Sequence, residues 1–266
     1  MRETQNAYKV LGVDISDYSA GEFFNKVEER LKTEDCDTPP TFVVTVNPEI
    51  VVESIVDSEF KQILQNSSIN TADGVGISWA VKFLYNKEIE RITGSDSVQK
   101  ICAISAEHGQ PVFLYGGMPN VVSRTAEILG ERIENLDVAG YYSPDSPSIA
   151  LEELPEATQR QLERAAVIFV ALGAPAQEKW IHENLHKLPS AKLVIGIGGS
   201  FDFISGEVRR APSWMCRAGM EWFYRLCVQP SRWRRMLKLP LFALNVMMLK
   251  MSNAQSSKQM QKVQEF

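Results

Sequence analysis

Two hydrophobic periods alternate along this chain. Short apolar runs rich in β-branched and aromatic residues occur at Phe42-Val-Val-Thr-Val46, Pro111-Val-Phe-Leu-Tyr115, Ala166-Val-Ile-Phe-Val-Ala-Leu172 and Lys192-Leu-Val-Ile-Gly-Ile197. They have the length of strands buried on both faces. Val10–Asp14 and Leu136–Tyr142 read as further strands. Between these runs the spacing changes to that of amphipathic helices. Ser19-Ala-Gly-Glu22 is a capping box ahead of Phe23, Val27 and Leu31, which share one helical face. Helices are also predicted over residues 49–66, 75–85 and 97–108, from Pro119 to about Arg132, over 157–164 and after Pro175. The alternation predicts an α/β domain over residues 1–211, a Rossmann-like, mostly parallel sheet flanked by helices. Residues 212–266 read as a separate helical appendage.

The polar residues of interest fall where strands end. Thr45 and Asn47 close one strand, at the end where open α/β sheets bind ligands. Asn47-Pro48 is also a helix start, so capping alone would account for Asn47. Asp73, followed by Gly74 and Gly76, places one carboxylate on a turn that a substrate can approach closely. Such an acid is a candidate general base, and the competing expectation is that Asp73 caps the helix starting near Val75. Arg91-Ile-Thr-Gly-Ser-Asp96 precedes another helix, which Asp96 could cap. Gly116 and Gly117, between a strand and a helix N-terminus, suit a phosphate or diphosphate, although the dinucleotide spacing G-x-G-x-x-G is absent.

Composition narrows the class. With 266 residues and 44% hydrophobic content the chain supports one sizeable core or one domain with an appendage. Four cysteines without C-x-x-C spacing, and an N-terminus without an apolar stretch, fit reduced thiols in a cytoplasmic protein. Charge is unevenly divided. After Glu221 eight basic residues face the single Glu265, a net +7, which leaves −12 on the first 221 residues given the overall −5. The tail therefore expects an anionic partner. Its apolar run Leu237–Leu249 is interrupted by Lys238, Pro240 and Asn245 and is short of the ~20 apolar residues a spanning helix needs. An interfacial helix on an anionic membrane surface fits this pattern. Packing on the body, or a homo-oligomer formed away from the membrane, competes with it. Nucleic acid is not expected, because the body is acidic and the tail mainly aliphatic.

Two metal motifs occur in unfavourable contexts. Asp35-Cys36-Asp37 matches the D-x-D of many sugar transferases but lies in a charged connector. His182-Glu183-Asn-Leu-His186 matches H-E-x-x-H, yet both histidines fall with Glu183, Asn184 and Lys187 on the polar side of their helix. No metal and no cofactor is expected.

The joint order of these stretches resembles one family, the WecG/TagA/CpsF glycosyltransferases of bacterial surface-polymer synthesis. It is carried by Thr45-Val-Asn47-Pro-Glu49, Ala72-Asp73-Gly74, Arg91-Ile-Thr-Gly-Ser-Asp96, Phe113-Leu-Tyr-Gly-Gly117, Gly173-Ala-Pro-Ala-Gln-Glu178 and Gly198-Gly-Ser-Phe-Asp202. Gly206, Arg209-Arg-Ala-Pro212, Gly219-Met-Glu-Trp222, Arg225, Gln229-Pro-Ser-Arg232 and Arg235 continue it. The resemblance implies an inverting, metal-independent transfer of a sugar from a UDP-sugar to a polyprenyl-diphosphate-linked saccharide at the cytoplasmic membrane face. The sugar would be N-acetylmannosamine, its uronic acid or glucose. It further implies Asp73 as the catalytic base, Thr45 and Asn47 beside it, Gln177 on substrate, and Arg225, Arg232 and Arg235 closing over the diphosphate. Arg91, Asp96, Gly116 and Gly117 are further candidates for substrate binding. A non-catalytic membrane scaffold is the alternative; a dinucleotide oxidoreductase lacks its glycine spacing.

Overall fold

The computed structural model describes residues 7–34, 38–230 and 233–264. The chain opens with a hairpin of β1 (Ala7–Val10) and β2 (Val13–Ser16), antiparallel, so the expected strand at Val10–Asp14 is in fact a turn and its flanks. Leu11 and Gly12 at the turn have φ of 51° and 94°, the left-handed values that a two-residue hairpin loop requires. α1 (Ala20–Lys32) follows, with the Ser19–Glu22 capping box formed and Phe23, Val27 and Leu31 buried.

Six strands then build a parallel sheet. In chain order the elements are β3 (Thr41–Val46), α2 (Pro48–Val56), α3 (Ser58–Asn66), β4 (Ile69–Ala72), α4 (Val75–Tyr85), α5 (Gly94–Glu107) and β5 (Val112–Gly116). Then come α6 (Pro119–Arg132), β6 (Val138–Tyr142), α7 (Glu156–Arg164), β7 (Val167–Ala171), α8 (Ala176–Asn184), β8 (Leu193–Gly196) and α9 (Ser200–Ile204). The sheet order is β4-β3-β8-β7-β5-β6, with every neighbouring pair parallel. Alternate residues feed two cores. Phe42, Val44 and Val46 pack with α2, α3, α4 and α8 on one face, while Val43, Leu114 and Phe169 pack with α1, α5, α6 and α9 on the other.

The helix predicted over 49–66 is broken at Asp57. Its backbone N–H closes α2 on Glu53 while its carboxylate accepts from Phe60 N–H to start α3. Lys179 of α8 lies 2.8 Å from the other Asp57 oxygen and holds the break against the body.

Residues beyond Pro212 form α10 (Ser213–Arg217), α11 (Glu221–Val228), α12 (Trp233–Met236) and α13 (Lys238–Gln264). α13 lies across α2 and α4. Phe242 and Val246, one turn apart, are fully enclosed, and Phe242 meets Trp79 edge to face at 6.5 Å. Lys238 pairs with Glu53 of α2, and Lys250 reaches the Phe83 carbonyl of α4. On the opposite side of α13, Leu241, Leu244, Met248 and Met251 stand exposed at helical spacing, and Leu237 just before the helix is exposed as well. No helix among the described residues is long and apolar enough to cross a membrane.

Candidate active site

The carboxyl ends of β3, β4, β7 and β8 surround one cavity of about 440 Å³, which residues of α11, α12 and α13 also line. Thr45 is buried next to the end of β3. Its hydroxyl donates to the Gly196 carbonyl at 2.8 Å, tying β3 to β8, and the residue lines the cavity. Asn47 does two things at once. Its Oδ1 accepts from Ile50 N–H at 3.0 Å as the cap of α2, and the side chain lines the cavity, where the amide nitrogen remains for a ligand.

Asp73 follows β4, and its N–H donates to the Val46 carbonyl at 2.7 Å, which fixes the turn beside β3. It does not cap α4. The cap position is Gly74, with φ of 91°, and no side chain bonds the first turn of that helix. The Asp73 carboxyl instead turns to the cavity. Burial lifts it from the usual carboxylate range to about 7, opposed by the Gly94 N–H that hydrogen-bonds it and assisted by the negative charges of Glu221 and Asp96. A carboxyl at that value alternates readily between base and acid near neutrality.

Gln177 opens α8 after the Gly173 turn, accepts from Gly198 N–H at 3.0 Å and lines the cavity. Arg225 of α11 enters from the appendage. It donates to the Gly199 carbonyl and lies 3.2 Å from Asp202, with its guanidinium 4.5 Å from the centre of the Phe203 ring. Gly199 leaves room for the guanidinium in this position, since a Cβ would stand 2.4 Å from an Arg225 nitrogen. Desolvation depresses the Arg225 guanidinium, so it gains from an anionic ligand. Arg235 of α12 lies 3.9 Å from Glu49 and also lines the cavity, as does Arg91.

Three candidates lie elsewhere. Asp96 is outside the lining. It receives both Arg210 nitrogens, at 2.6 and 3.1 Å, and the Thr93 hydroxyl at 2.8 Å, and Arg210 holds its carboxyl below the ordinary range. Thr93, not Asp96, caps α5. Gly116 ends β5 and Gly117 follows it, two strands away from β8, a displacement of about 10 Å at the usual strand spacing. At Gly116 the glycine serves chain packing, since a Cβ would meet the Ala171 backbone at 2.7 Å. Arg232 and the Asp35-Cys36-Asp37 motif lie outside the described residues.

His182 and His186 are both exposed, and α8 ends between them at Asn184. Asn184 is buried, contrary to its expected place on the polar side, and donates to the Trp180 carbonyl at 2.8 Å. Among the described residues the one group with metal-ligand spacing is Glu28, Glu107 and His108, on α1 and the end of α5, where Lys32 already pairs with Glu28. Glu221, Trp79 and Lys238 line the cavity and were not among the residues expected there, although Glu221 lies in one of the family-like stretches. They arrive through the packing of α4, α11 and α13.

Residues 8–256 match the model of the WecG/TagA/CpsF glycosyl transferase family. The chain belongs to this family. Two relatives are named N-acetylglucosaminyldiphosphoundecaprenol N-acetyl-beta-D-mannosaminyltransferase. The one from Bacillus subtilis (strain 168) is 38% identical over 210 residues, covering 77% of this chain and 78% of the relative. The one from Bacillus spizizenii (strain ATCC 23059 / NRRL B-14472 / W23) is 34% identical over 209 residues, with the same coverage. Family membership makes glycosyl transfer the chemistry of this chain, and the cavity is where the family-like stretches at Thr45, Asp73, Gln177 and Arg225 converge.

Proposed function

We propose that this protein is an inverting glycosyltransferase that moves a sugar from a UDP-sugar to a polyprenyl-diphosphate-linked saccharide at the cytoplasmic face of the membrane. The observation that carries the proposal is Asp73, a carboxyl raised to about 7 in a cavity whose other wall presents Arg225. In one displacement the acceptor hydroxyl oxygen bonds the anomeric carbon as that carbon's bond to the UDP oxygen breaks. UDP leaves with the electron pair, and the hydroxyl proton passes to Asp73. Arg225 and Arg235, with Arg232 by resemblance, neutralise the diphosphate as its charge grows, a task suited to forked guanidinium donors. With those cations in place the reaction is proposed to run without a divalent metal.

The relatives' names support N-acetylmannosamine as the sugar and an N-acetylglucosaminyl-diphosphate lipid as the acceptor. The exposed stripe on α13 and the surrounding basic residues support a peripheral attachment, with the stripe in the headgroup layer. The test is a screen of UDP-sugars against a synthetic polyprenyl-diphosphate saccharide, with and without chelator, using the native protein and Asp73→Asn. The native protein is expected to release UDP in the presence of chelator. Asp73→Asn is expected to bind UDP and lose at least about a hundredfold in turnover, the usual scale of a lost general base. Activity abolished by chelator would overturn the metal-free step, and undiminished turnover in the variant would overturn the base.

A further inference from the structure

Gln177 and Glu178 open α8 side by side, and their exposures are only 2% and 0%. Gly198 N–H donates to Gln177 Oε1 at 3.0 Å, and Gln177 Nε2 donates to Glu178 Oε1 at 2.7 Å. A backbone N–H can only donate and a carboxylate only accepts, so these two contacts permit one orientation of the Gln177 amide. Flipping it would set two donors against each other at Gly198 and two acceptors against each other at Glu178. Gly196 leaves the room, since a Cβ there would lie 2.8 Å from Gln177 Nε2. One Nε2 proton is thereby used, and the second remains on the side chain that lines the cavity. Glu178 itself is not among the lining residues, and its Oε2 has no hydrogen-bond partner among the described residues.

We infer that Glu178 is a positioning residue, whose buried carboxyl holds the Gln177 amide so that its free N–H donates to an oxygen of the sugar substrate. The identity of that ligand rests on the proposed sugar transfer; the orientation rests on the geometry. Burial lifts the Glu178 carboxyl to about 7, and its neutral form still offers a carbonyl oxygen to the same bond.

Glu178→Met keeps the length of the side chain and removes the acceptor, whereas Glu178→Gln keeps an acceptor oxygen. In donor-dependent kinetics Glu178→Met is expected to lower kcat/KM by about ten- to a hundredfold, the scale of a hydrogen bond to a charged group. Gln177→Met should lose as much, and the double variant should be no worse than either single one, because both remove one unit. Glu178→Gln should stay within about threefold of the native protein. A native-like Glu178→Met, or losses that multiply in the double variant, would overturn the inference. Thermal melting checks each fold, and if Glu178→Met does not fold, Glu178→Gln decides: a loss as large as that of Gln177→Met counts against the role. The side-chain amide signal of Gln177 in nuclear magnetic resonance provides a readout without turnover. It is expected to shift and exchange faster in Glu178→Met, and an unchanged signal would overturn the positioning. A native protein that consumes no donor would sink the sugar-transfer reading, while the amide signal still decides the orientation.

Discussion

At the scale of single residues, Asp73 carries a pH dependence whose sign follows from its environment. As a base it must be ionised, so kcat/KM should rise with pH through about 7 and then level off. A profile flat from about 5 to 8 would exclude a carboxyl with this value from the rate-determining proton transfer. Stability runs the other way. The folded state holds the Asp73 proton up to about 7, while the unfolded chain releases it near 4, so the native state loses stability as pH rises across that window. Asp73→Asn cannot ionise and should therefore be the more stable protein at pH ~8, by roughly 2–4 kcal/mol, with the difference shrinking towards pH ~4. Urea unfolding of both proteins at the two pH values measures this, and a variant less stable at the higher pH would contradict it. Asp73 and Asn47 were legible as candidates because glycine turns and caps are local signals. Their functions separated only in the fold. Asn47 does cap its helix, whereas Asp73 leaves that place to Gly74 and takes the Gly94 N–H instead.

Elements follow the sequence wherever neighbouring residues decide them. The bounds of α4 and the capping box of α1 match the reading of the chain, since both depend on contacts three or four residues apart. The break at Asp57 was hidden, because apolar spacing continues through it and only the cap geometry and Lys179 reveal two helices. α13 is apolar on two sides, and the chain alone offered body, membrane or oligomer as its partner. The fold assigns one of those sides to the body through Phe242 and Val246. Phe242→Ala should loosen this docking, removing about 3 kcal/mol of packing, the low end of such truncations. Because Phe242 and Lys238 border the cavity, the variant should also lose activity, and hydrogen exchange should rise in α13 before the sheet. Unchanged exchange in α13 would show that its anchoring lies elsewhere.

For the whole molecule, the separation of a −12 body from a +7 tail is readable by counting, and it proposes a tail that meets anions while the body is repelled by them. Deleting the chain after Pro212 removes Arg225, Arg235 and the exposed apolar stripe together. The truncated protein should neither bind vesicles of anionic lipid nor turn over donor, and the loss of binding should be mimicked in the full chain by high salt. Retained binding by the truncated body would place the membrane contact outside the appendage. The sequence by itself determined the strand and helix periods, the caps at Ser19 and Asn47, the glycine turns and the uneven charge, all properties of residues close in the chain. It could not determine which strand ends meet. The order β4-β3-β8-β7 brings Asp73, Thr45, Gly198 and Gln177 to one cavity and leaves Gly116 and Gly117 outside it. Burial among distant segments then decides the rest: the raised carboxyls of Asp73 and Glu178, the seat of Arg225 on Gly199, and the face of α13 that turns inward. Hydrogen bonding and desolvation at these places depend on partners far away in sequence, as Thr45 and Gly196 illustrate with their separation of 151.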